Sequence, residues 1–167
     1  VALAWSLFQL WYASPLPFTF GVGILNDTEA RALHLAFAMF LAFLAWPAFK
    51  GRSPRGYVPV VDWVFAIAGA FAASYLLFFY GELATRPGQP TTMDIVVASV
   101  GLLLLLEATR RSVGWPMSVL ALLFILYAMF GSYLPEVVAH KGASLNRLLS
   151  HMWLTTEGVY GIALGVS

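Results

Sequence analysis

Glu107 follows five consecutive leucines, Leu102 to Leu106, and Arg110 and Arg111 stand three and four residues behind it. A carboxylate in an apolar run is costly to keep charged unless it is paired. Left free at membrane depth, such a group could carry protons or cations. One helical turn separates Glu107 from the two arginines, so the spacing reads instead as a salt-bridged helix end. Arg31 and His34 fall in the first two turns of another apolar segment. His34 has the chemistry of a proton relay or a ligand, but its place near a helix start reads as a hydrogen-bonded interfacial histidine. Arg31 is long enough to snorkel from the same place. Asp62, Glu82 and Asp94 stand at segment boundaries and read as caps or interface anchors.

Other chemistries find little footing. The histidines, His34, His140 and His151, lie in different segments without close ligand spacing, and there is no cysteine. That combination argues against a metal site. No GxSxG elbow occurs, and the GVG of residues 21–23 lacks the lysine and length of a phosphate loop. Most of the tryptophans fall at helix ends, where belt placement is the simpler reading than stacking on a cofactor. A net charge of +1 without a basic stripe gives nucleic acid nothing to hold. The residues therefore lead us to expect no enzyme, no metal, no cofactor and no nucleic-acid partner.

Composition says what surrounds these residues. Charged residues are 10% of the chain and hydrophobic ones 60%. A soluble domain carries about 25% charged residues. Mean hydropathy is +0.81. So little polar surface cannot coat a soluble globule, and lipid must supply part of the solvent. Weak period-2 alternation argues against a β-barrel.

Spanning helices need about 20 mostly apolar residues. Five candidates occur: residues 1–13, 27–49, 61–80, 93–111 and 115–134. The first is too short as it stands and reads as the second half of a longer helix. The chain starts and stops inside apolar runs, which suggests a fragment or a processed chain. SPLPFTFGVGIL, with its prolines and glycines, reads as a loop. In the third candidate Ala66, Ala70 and Ser74 recur every four residues, with Gly69 and Ala73 beside them. Such a face lets a second helix approach closely in lipid.

In SLNRLLSHMWL, residues 144–154, Leu145, Leu148, Leu149, Met152 and Trp153 share one side, and Asn146, Arg147, Ser150 and His151 the other. Ser144 is placed to cap it. That stripe predicts a short amphipathic helix lying in the membrane interface. The expected fold is an all-α integral membrane protein, with about five transmembrane helices in an antiparallel bundle followed by this interfacial helix.

Basic residues orient the bundle. Lys50, Arg52 and Arg55 lie in one loop and Arg110 and Arg111 in another, whereas 81–92 holds Arg86 alone and 14–26 none. The positive-inside rule makes the first two loops cytoplasmic, with these five residues as topology anchors. The N-terminal side is then cytoplasmic, and 131–155 lies on the far side.

Three stretches resemble the N-terminal part of fused TRAP (tripartite ATP-independent periplasmic) transporter permeases, of the TAXI type. They are GILNDTEARALHLAFAMFLAFLAWPAF, ELATRPGQPTTMDIVVASVGLLLLLEATRRSVGWP and YLPEVVAHKGASLNRLLSHMWLTTEGVYGIALGVS. The resemblance covers essentially the whole chain. It implies a DctQ-like small-subunit region over 1–113, a connecting helix over 114–134, and an arm helix with the start of the large subunit over 135–167. It implies a permease component in a bacterial inner membrane that supports the transport domain of a secondary transporter for organic anions without carrying the substrate site. The implied partners are the large membrane subunit, in the same polypeptide, and a periplasmic substrate-binding protein. Glu82, Arg86 and Lys141 lie on the candidate docking face. The alternative is an accessory subunit of a larger membrane complex with no transport of its own.

Overall fold

A computed structural model describes residues 1–48, 58–85, 89–133, 135, 139–161 and 164. The described residues form helices without strands: α1 (Ala2–Ala13), α2 (Leu16–Phe20), α3 (Asp27–Ala45), α4 (Val60–Thr85), α5 (Thr92–Ser112), α6 (Trp115–Phe130) and α7 (Leu145–Trp153). A 3₁₀ turn, Gly131–Tyr133, follows α6. Among the described residues, four segments are long and apolar enough to cross a membrane: α3, α4, α5, and α6 with its 3₁₀ turn. As the sequence stands, α1 has 12 residues and is too short.

Local chemistry sets most of the helix ends. Asn26 caps α3 in a reciprocal box with Glu29, and Thr91 does the same for α5 with Asp94. Ser144 caps α7 by accepting from the Arg147 backbone at 3.4 Å. The third apolar segment runs further than its hydrophobic stretch predicts, on to Thr85. Gly81 alone does not stop it, because one helical glycine costs only about 1 kcal/mol and Glu82, Leu83 and Ala84 continue the helix. Conversely α3 ends at Ala45, short of the expected 49, since Pro47 forces Trp46 out of helical geometry (φ −118°, ψ 95°). The expected loop after α1 contains α2, whose proline sits in the first turn where it is tolerated.

Contacts fix the directions. Met39 and Phe43 meet Gly69, and Ala48 meets Asp62, so α3 and α4 run antiparallel. Tyr75, in the second half of α4, reaches Asp94 at the start of α5, and Asp62 at the start of α4 reaches Arg111 at the end of α5. Arg110 stacks on Trp115, and Ser118 bonds the Leu106 carbonyl, so α6 turns back along α5. The core lies between α3, α4 and α5 and is closed by α7. By contrast α6 has no buried residue and presents apolar side chains on most sides.

The apolar stripe on α7 is covered by protein. Leu148, Leu149 and Trp153 are buried against the bundle, with Ser150 beside them, and Leu145 stays exposed.

Candidate functional site

Asp62, Glu107, Arg110 and Arg111 gather where α3 ends, α4 begins and α5 ends. Asp62, in the first turn of α4, is 1% exposed, and Arg111, in the last turn of α5, is 5% exposed. Arg111 Nη1 donates to Asp62 Oδ1 at 2.7 Å and to the Trp46 carbonyl at 3.3 Å. Its Nε donates to Glu107 Oε1 at 2.8 Å. The guanidinium stacks between Phe43 and Phe65, 4.9 and 5.2 Å from their centroids. Asp62 also accepts from the Ala48 backbone at 3.3 Å. Arginine suits this place because its flat faces meet rings while its edge meets carboxylates. Each desolvated charge has an opposite partner, which is the condition for keeping it in an apolar surrounding.

Arg110 takes the outer side of the same helix end. Its Nε and Nη2 hold both oxygens of Glu107 at 2.7 and 2.6 Å, and it lies 5.1 Å above the Trp115 ring. Glu107 is thus the salt-bridged end that the spacing predicted. Of the five anchors, Arg111 is turned into the bundle and Arg110 is part-exposed; Lys50, Arg52 and Arg55 lie outside the described residues.

At the other end of α5, Asp94 is fully buried. It accepts from the Thr91 backbone at 2.8 Å and from the Tyr75 hydroxyl at 2.6 Å. Asp62 and Asp94 lie at helix boundaries, as their sequence positions predict, yet each is buried in a pairing between helices.

A third set joins the segment after α6 to the bundle. Trp153 Nε1 donates to the Ala72 carbonyl at 3.1 Å, and its ring fills the space left by Gly101. A Cβ on Gly101 would lie 2.3 Å from that ring. Tyr160 donates to the Ala73 carbonyl at 3.0 Å and meets Trp153 edge-on at 5.6 Å. Burial pushes the Tyr160 phenol up, which keeps it a neutral donor. Arg31 Nη1 donates to the Tyr160 and Gly161 carbonyls at 3.2 and 3.1 Å, and its Nη2 pairs with Asp27.

The small residues of α4 divide by depth. Ala66, Gly69 and Ala73 are buried, and Ala70 and Ser74 are half-buried. Gly69 lets Met39 and Phe43 of α3 approach to 3.1 and 3.2 Å of where a Cβ would stand. Ala72, not singled out by the four-residue repeat, is buried too and supplies the carbonyl for Trp153.

The histidines occupy three separate places. His34 contacts Gln9 and meets Trp5 edge-on at 4.9 Å. His140 accepts from the Gly142 backbone on Nδ1, which leaves Nε2 to donate to the Tyr127 carbonyl. His151 lies 3.7 Å from Glu157. Glu82 and Lys141 are exposed, and Arg86 lies outside the described residues.

Sequence spacing missed the Asp62–Arg111 pair, whose members are 49 residues apart. A signal was present in VVDWV, a carboxylate within an apolar run. The Trp153–Gly101 fit had no local signal.

No family model, curated protein or solved structure matches this chain.

Proposed function

We propose that this chain is the supporting membrane part of a TRAP-type secondary transporter for organic anions. The observation that carries the reading is the fastening of residues 145–161 to α3, α4 and α5 through Trp153, Tyr160 and Arg31. Under the resemblance, that segment opens the large, transporting half. A brace needs such a rigid junction, and it needs its own buried charges matched. Asp62 and Arg111 are matched in that way, with Glu107 as a second carboxylate on the arginine.

On this reading the chain crosses a bacterial inner membrane five times, α1 being the end of the first crossing. Lys50, Arg52, Arg55, Arg110 and Arg111 mark the cytoplasmic side. The arm helix α7 sits on the periplasmic side, where Glu82, Arg86 and Lys141 border the face offered to a substrate-binding protein. The large membrane subunit belongs to the same polypeptide.

Purification of the native polypeptide through a tag, followed by reconstitution, tests the proposal. The expected result is ion-gradient-driven uptake of an organic anion that requires a periplasmic binding protein. Recovery in a complex that transports no organic anion would replace it with the accessory-subunit reading.

A further inference from the structure

The groove between α5 and α6 ends at a cation. Its walls are Leu103 and Leu106 on one helix and Val119 and Leu122 on the other. Ser118, the polar residue between them, spends its hydroxyl on the Leu106 carbonyl at 3.1 Å, so the walls stay apolar. Leu103, Val119 and Leu122 are all about half exposed or more, so the groove is open along its side. From Leu103 to Arg110 it runs about 10 Å along α5, at 1.5 Å per residue.

The mouth carries Trp115 and the ion pair of Arg110 with Glu107. Two of the arginine's nitrogens hold Glu107, and Nη1 makes no hydrogen bond among the described residues. Glu107 is drawn inward by Arg111 as well, which leaves the outward edge of Arg110 as the donor. Trp115 is 65% exposed and lies under the guanidinium, and an indole is a side chain that favours a bilayer interface. The start of α6 carries no side-chain cap, so the positive end of its dipole adds to the same corner. Apolar walls below, an outward guanidinium above and an interfacial indole beside it match one amphiphile.

We propose that this groove binds a phospholipid, with an acyl chain along Leu103, Leu106, Val119 and Leu122 and the phosphate at Arg110. The groove between α3 and α5, lined by Ala38, Ala42, Ala45 and Ala108, offers similar apolar walls, and no cation lines it. The remaining donor edge of Arg110, which the other groove lacks, therefore selects the α5–α6 groove. The inference needs only that these two helices lie in a membrane, and it is independent of the transport reading.

Native mass spectrometry of the full polypeptide in mild detergent tests it, with dioleoyl phosphatidylglycerol and dioleoylglycerol as the two probes. The phosphate-bearing lipid should be retained about tenfold better, the worth of one charge-assisted hydrogen bond. Arg110→Gln should remove that preference, Arg110→Lys should keep most of it, and Leu122→Trp should expel both lipids by filling the groove. Equal retention of the two probes by the unaltered chain would overturn the proposal, as would a preference that survives Arg110→Gln. A photoreactive side chain at Val119 that captures a polypeptide in native membranes, and no lipid, would overturn it too.

Discussion

Arg111 and Asp62 meet at 2.7 Å across the α4–α5 contact, with 2% and 1% of their side chains exposed. Neither is tolerable there without the other. The pair, with Glu107 and the Trp46 carbonyl, ties three helix ends together where no apolar contact could fix their register as specifically.

Removing one partner leaves the other charged and desolvated. Asp62→Asn should lower stability by about 3–5 kcal/mol, seen as a lower unfolding temperature in detergent. Replacing both residues together, Asp62→Leu with Arg111→Met, should recover most of that loss. A single variant as stable as the parent would show that water reaches the pair.

Gly101 should respond with opposite signs in two backgrounds. In the parent chain Gly101→Ala drives a methyl into the Trp153 ring and should cost about 1–3 kcal/mol. With Trp153→Ala already present, the same change should be neutral or stabilising by up to about 1 kcal/mol, because alanine is the better helix former. A double-mutant cycle read by thermal unfolding checks this, and additive effects would deny the fit between α5 and α7.

Tyr160 gives the junction a pH dependence. Its phenol is held above the usual value by burial, so the unfolded state gives up that proton first. The contribution of Tyr160 should be fully present below pH about 10 and decline as pH rises beyond it. Tyr160→Phe should flatten part of the alkaline loss of stability measured between pH 8 and 11. An unchanged slope would mean that the phenol is not buried in the folded protein.

Fold class was legible because apolar run length and capping residues act locally. Asn26, Ser144 and the close-packing face at Gly69 needed only their neighbours in sequence. Glu107 was legible for the same reason, its partners lying within one turn. Asp62 was not, since its partner comes from a different helix and only the bundle brings them together. What covers the α7 stripe was not legible for a related reason. Its stripe fits lipid and protein equally well, and only Gly101 and the Ala72 carbonyl, far away in sequence, decide for protein.

The most direct measurement asks whether the link from α6 into the fastened segment is static during transport. The chain has no cysteine, so cysteines at Ala128 and Ala143, whose backbones are bonded at 2.8 Å, can be joined by a short reducible cross-linker. In the full native protein, reconstituted in liposomes, the lock should leave organic-anion uptake within about twofold of the unlocked rate, since a brace keeps its internal contacts. Uptake abolished by the cross-link and restored by reductant would contradict the bracing role and make this segment a moving part.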